Sequence, residues 1–188
     1  MVKRNDRTST GLKALSAPEV KRAILTFWRL NATKAPIADF IPILDEDFEI
    51  IATDAAGNVV LKYSGLAGLE DHQYGKQIYY DQRFILKSFE AELAGQEAIA
   101  HTTGEWHCLH CEPRKPCSEP LRADLKHTWF VRRSAATGRP LLRRHICTYF
   151  QYVEGYAPQP ASSTDGYREF HLDFDRHWTY APTAGGAE

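Results

Sequence analysis

Three long stretches in the second half of the chain alternate apolar and polar residues, and they restrict its fold more than any other feature. Ala98 to Cys108, Leu121 to Arg133 and Leu141 to Tyr152 each show the period of two expected of strands with one buried face. Ser134-Ala135-Ala136-Thr137-Gly138 separates the last two and suits a hairpin. Gln82 to Leu93 pairs with Glu97 to Cys108 across Ala94-Gly95-Gln96, a second hairpin. Four long strands in sequence then predict a curved sheet that needs something to wrap around.

The first half supplies it. Ser16-Ala17-Pro18-Glu19 opens a helix, with Ser16 as N-cap, Pro18 in the first turn and Glu19 completing a capping box. Ile24, Leu25, Phe27, Trp28 and Leu30 form its apolar stripe. A short helix is expected over Ile37 to Leu44, before the acidic Asp45-Glu46-Asp47. Phe48 to Thr53 and Val59 to Tyr63 read as a hairpin across Asp54-Ala55-Ala56-Gly57-Asn58. Leu66 to Ile78 reads as a third helix, with Leu66, Leu69 and His72 along one face. A proline-bearing loop, Glu112 to Pro120, precedes the final strand pair. The expected fold is α+β, with N-terminal helices packed in the concave face of a strongly curved antiparallel sheet around a pocket. Residues 1–15 read as a mobile N-terminal segment, 16–155 as the domain and 156–188 as a C-terminal extension or arm.

Composition narrows the function. A chain of 188 residues is one ordinary domain with room for a full core. Its net charge of -1 offers no basic excess for phosphate, so nucleic acid is excluded as an expected partner. No apolar run approaches the roughly 18 residues of a membrane helix. The polar start, Met-Val-Lys-Arg-Asn-Asp-Arg, has no apolar stretch behind it and is not a secretory signal, so a cytoplasmic location is expected. Aromatics at 12% suit a lined cavity or subunit interface, and the single Met argues against a soft, promiscuous groove.

Strand alternation assigns faces. Pairing Leu93 with Ala98 and Ala91 with Ala100 places Ile85, Phe89, Ala100, Thr102, Gly104 and Trp106 on the concave side. Phe84, Leu86, His101, Glu105 and His107 then face outward, to solvent or a partner subunit. On the next strand Leu121, Ala123, Leu125, His127, Trp129 and Val131 are the inner set. His127 is expected to be the one titratable group there. The last strand offers two faces, Leu142-Arg144-Ile146-Thr148-Phe150 or Leu141-Arg143-His145-Cys147-Tyr149.

A histidine in a dry pocket can shuttle a proton, which makes His127, and His145 if it faces inward, catalytic candidates. The plain alternative is a hydrogen-bonded core histidine. Trp28, Trp106, Trp129 and Tyr149 could stack on a flat ligand or simply fill the core. Arg144, with Arg143, could hold a carboxylate or lie on a solvated face. His72, beside Asp71, could look into the cone from the third helix. Cys108, His110, Cys111 and Cys117 include metal-ligand types but fit no zinc-ribbon spacing, and reduced cysteines or a redox-dependent disulfide are the alternatives. His171, Asp173, Asp175 and His177 alternate and could share one face of a strand, as metal ligands or as its wet side.

The element order resembles the nuclear-transport-factor-2-like, or SnoaL-like, superfamily over Ala17 to Tyr152. Ala100-His101-Thr102-Thr103-Gly104-Glu105-Trp106 resembles the family's central strand. Lys126-His127-Thr128-Trp129-Phe130-Val131-Arg132-Arg133, then Gly138, then Arg143-Arg144-His145-Ile146-Cys147-Thr148 resembles its closing hairpin. The resemblance implies a cystatin-like cone holding a small-molecule ligand, and a homodimer formed through the convex sheet. It implies an isomerase, cyclase or dehydratase without a cofactor, acting on an apolar, oxygenated, polyketide- or aromatic-like substrate. The Tyr and paired Asp of ketosteroid isomerase have no matches here. Binding or assembly modules also occur in the family, so a non-catalytic role is the first rival. A metal-dependent protein using the cysteine loop is the second.

Overall fold

A computed structural model describes residues 12–111 and 118–158. Helix α1 (Ala17–Ala32) begins where its capping residues require: Glu19 accepts hydrogen bonds from the Ser16 backbone N–H and hydroxyl. Arg133 donates to the same carboxylate, tying the helix start to the sheet. Helix α2 is shorter than expected, Ile37–Phe40, followed by a tight turn over Ile41–Ile43. Pro42 removes the donor a continuing helix would need. Strand β1 therefore starts early and runs Leu44–Thr53. It pairs with β2 (Val59–Ser64), after which comes helix α3 (Gly65–Tyr74). Four long strands follow: β3 (Tyr79–Ala94), β4 (Glu97–His110), β5 (Glu119–Arg133) and β6 (Pro140–Tyr152).

The six strands form one sheet in the order β2-β1-β6-β5-β4-β3. The helices lie against it, giving the α+β cone. Every pairing is antiparallel except one: β1 runs parallel to β6. That contact joins the two halves of the chain, where no hairpin dictates direction. The Leu93–Ala98 and Ala91–Ala100 pairs form as expected.

Bulges correct two of the face assignments. On β3 the register slips between Leu86 and Ser88, so Phe84 and Leu86 pack on the core and Ile85 is exposed, the reverse of the expected phase. On β6 the register slips near Arg143 and again near Thr148. Leu142, His145, Cys147 and Phe150 are all buried, a set drawn from both proposed faces. Between the two bulges the strand is out of phase with its own ends.

The N-terminal segment is anchored sooner than expected. Leu15 is buried and its N–H bonds the Gly95 carbonyl. Residues 1–11 and 159–188 lie outside the described residues, and with them most of the expected arm. No helix among the described residues is long and apolar enough to cross a membrane.

Candidate active site

Between α3 and the lower half of the sheet lies a cavity of about 40 Å³, room for about three water molecules. Ile50 and Ala52 of β1, Phe84 of β3, Trp106 of β4 and Leu125 of β5 supply apolar wall. Into this wall project His127 from β5, His145 and Cys147 from β6, His72 from α3 and Lys76 from the turn after α3. All five are less than a tenth exposed. His127 is thus not the one titratable group of the inner face. Among the described residues that line the cavity there is no carboxylate.

The imidazoles are held by rings. His145 stacks on Trp129, centroids 4.1 Å apart and planes 11° from parallel. His127 stands edge-on to His145 at 4.5 Å and to Trp28 at 5.8 Å. His72 meets Tyr63 edge-on at 5.5 Å. Of the three tryptophans at the site, Trp129 donates its N–H to Thr102 at 3.0 Å and Trp106 to Gln82 at 3.1 Å, whereas the Trp28 N–H is buried without a hydrogen-bond partner among the described residues. Nδ1 of His127 and both ring nitrogens of His145 are likewise buried without a hydrogen-bond partner among the described residues. Each such orphan costs about 1–3 kcal/mol.

Burial also sets the charges. It pushes the His127 imidazolium down to about 3, with the nearby Lys76 charge adding to the effect. His72 and His145 are held well below the ordinary histidine range, first by burial and then by neighbouring cations. Burial lowers Lys76 to about 7. It raises the Cys108 and Cys147 thiols to about 12, so both are protonated and unreactive as nucleophiles. The cavity therefore presents three neutral imidazoles, each able to accept a proton at one nitrogen and donate at the other.

The structure brings together His127, His145, His72 and Trp106 of the expected set. Trp28 and Trp129 stand one layer behind: Trp28 stacks on Phe84 at 5.5 Å and Trp129 backs His145. Two expected ligand contacts are corrected. Arg144 lies on the outer face and donates to Glu49 at 2.8 Å, because the Arg143 bulge turns it away. Tyr149 is exposed beneath the Lys126 ammonium, because the Thr148 bulge puts Phe150 inside in its place. Of the metal candidates, His110 bonds Glu119 at 2.9 Å, and it does not converge with Cys108 and Cys111. Cys117 and the His171, Asp173, Asp175, His177 set lie outside the described residues. Three possible ligands do approach one another at Asp45, Glu46 and Asp47, where Arg132 already holds Asp45.

Lys76 was not expected. Its signal was present: Leu69, His72 and Lys76 continue one helical face at spacings of three and four. A lysine on such a face reads as its end, and here the chain turns so that it points inward instead.

No family model matches the chain, and no curated protein matches it. Solved structures do. A hexachlorocyclohexane dehydrochlorinase (LinA, type 2) aligns with a TM-score of 0.58 at 11% identity, covering 78% of this chain and 94% of its own. A ketosteroid isomerase-like protein from Erwinia carotovora atroseptica aligns at 0.53 and 14%, covering 76% and 97%. The CaMKII hub of S. rosetta aligns at 0.52 and 15%, covering 74% and 98%. The chain has the cystatin-like fold. The expected architecture is thereby found, and at these identities the likeness speaks for fold alone.

Proposed function

We propose that this chain is a small-molecule enzyme of the proton-transfer type, an isomerase, cyclase or dehydratase working without a cofactor. The observation that carries this reading is the pair His127 and His145, with three buried ring nitrogens lacking partners at the edge of an apolar cavity. Groups so costly to bury are retained where a ligand meets them. Burial keeps His127 neutral, so it can accept a proton from a carbon next to a carbonyl. The enolate charge that develops beside it favours the imidazolium in return. His145 donates to or accepts from the substrate oxygen, held in place by its stack on Trp129. Trp106 and His72 shape the pocket for a small, apolar, oxygenated substrate. The dehydrochlorinase and the isomerase-like protein of the same fold are in keeping with this reading. The protein works as a cytoplasmic homodimer, joined through the convex sheet where Ile85 and Tyr149 are exposed.

The test is exchange of the α-protons of small cyclic ketones in heavy water, followed by NMR. Exchange above the buffer rate is expected, with His127→Gln lowering it about 10²-fold or more. The lack of a carboxylate among the described residues that line the cavity favours a second reading, a non-catalytic binding module. Ketones that bind but exchange at the buffer rate would establish that module and end the enzyme reading.

A further inference from the structure

The proton-transfer reading leaves one buried group of the cavity without a task. Lys76 follows α3 by two residues, in a turn fixed by two backbone hydrogen bonds: its N–H donates to Gln73 and its carbonyl accepts from Tyr79, each at 3.1 Å. The residue is 5% exposed and its side chain reaches over the Phe84 ring, Nζ 5.5 Å from the centroid. Trp106, Leu125 and Phe150 close the space around it. Lys76 is near enough to His72, His127 and His145 to lower the proton affinity of each. A lysine so placed puts an amine and proton-carrying imidazoles around one volume.

We infer that Lys76 is the nucleophile of this cavity and captures a small aldehyde or ketone as a Schiff base. The inference rests on the pocket reading and deepens it by giving the carbonyl ligand a covalent attachment point. The Nζ lone pair adds to the carbonyl carbon, and the carbonyl oxygen takes a proton to give a carbinolamine. The nitrogen then releases a proton, the C–O bond breaks, and one water leaves as the C=N bond forms. His127 carries the proton between nitrogen and departing hydroxyl. The products are the imine and one water, and no oxidant or reductant is needed. Once protonated, the imine withdraws electrons from the adjacent carbon, which makes its C–H easier for an imidazole to remove. Desolvation supports the assignment, since Lys76 titrates at about 7 and has unprotonated amine available at neutral pH.

The test is reductive trapping of the full-length protein with acetone and cyanoborohydride, read by intact mass and peptide mapping. One adduct is expected on Lys76, adding the mass of one acetone less its oxygen. It should form about tenfold or more faster than at any other lysine, with a pH midpoint near 7 rather than the ~10.4 of solvated lysines. Lys76→Met, unbranched and apolar in the same space, should fold and give no adduct. Equal labelling of surface lysines, or an undiminished adduct in Lys76→Met, overturns the inference. Saturation transfer from the acetone methyls separates the two readings. Binding without trapping removes the amine's role and leaves the pocket, whereas neither binding nor trapping removes both.

Discussion

The two ends of the cone are built from the same strands and filled differently. Under α1 the space is closed by rings: Phe27 contacts Phe40, Phe48 and Trp129, each at 5.6 Å. Under α3 the wall is equally apolar but the middle is open and lined with imidazoles and an amine. The helices account for the difference. Over sixteen residues α1 buries Val20, Ile24, Phe27, Trp28 and Leu30. Over ten residues α3 buries Leu69, His72 and Gly68. Gly68 lies so close to the Tyr63 backbone that a Cβ would come within 2.9 Å of it. This helix is seated against β2 by its lack of side chains rather than driven into the sheet by bulk. A pocket here is what remains when strand alternation supplies a core face and the covering helix supplies too little volume to fill it.

Acid should separate the ends most sharply. His72, His127 and His145 have folded-state proton affinities below the unfolded value of 6.5. The unfolded chain therefore binds more protons below that pH, and their contribution to stability is present above pH 6.5 and lost as pH falls. Each histidine loses about 1.4 kcal/mol per pH unit, about 4 kcal/mol per unit for three acting together. Lys76 has the same sign at higher pH: its folded value of about 7 against 10.5 unfolded makes stability rise across that window. The Cys108 and Cys147 thiols, raised from 9 to about 12, reverse the trend above pH 9. Melting temperatures should climb steeply from pH 5 to 7, peak near pH 9 and then fall. A flat profile between pH 5 and 7 would mean that the imidazoles are solvated and that the two ends are alike.

A matched pair of substitutions sharpens the same contrast. Phe27→Ala removes a fully buried ring at the filled end and should cost about 3–5 kcal/mol in denaturant melts. Phe150→Ala removes the same ring from the cavity wall, where one side already borders open space. It forfeits fewer contacts and should cost at least about 1 kcal/mol less. Equal losses would mean that the cavity collapses in solution.

What could be read in advance follows from where each signal lies. Alternation on β5 is unbroken, so Leu121, Leu125, His127 and Trp129 could be placed inside from residue parity alone. Hairpin lengths fixed the β3–β4 register at Leu93 and Ala98. Bulges leave no mark of their own: one extra residue at Lys87, Arg143 or Thr148 reverses the phase of everything beyond it. Parity alone therefore puts Ile85 inside and lets Arg144 and Tyr149 reach a ligand, and the bulges reverse all three. The parallel β1–β6 contact joins residues 95 or more positions apart, such as Ile50 and His145, and no local residue pattern encodes it. Lys76 was lost for another reason. Its position continued the His72 face, but a lysine is expected at a surface, and only the turn after α3 shows that this one is enclosed.

The smallest effect expected is also the most diagnostic, because its sign opposes the usual one. His145→Phe keeps a flat ring of similar size stacked on Trp129 and deletes two buried nitrogens that lack partners. If His145 were a packing residue, replacement would be neutral or harmful, as most core substitutions are. If it is held for a ligand, the native chain carries an avoidable cost of about 1–3 kcal/mol per orphaned group, and phenylalanine returns part of it. We expect His145→Phe to raise stability at pH 7 by about 1 kcal/mol or more and to abolish the ketone exchange. It should also reduce the steepness of the acid profile by one histidine's share. Gain of stability with loss of exchange would place function at the open end of the cone. Loss of both would make His145 part of the filled end, and the boundary between the two would move to His127.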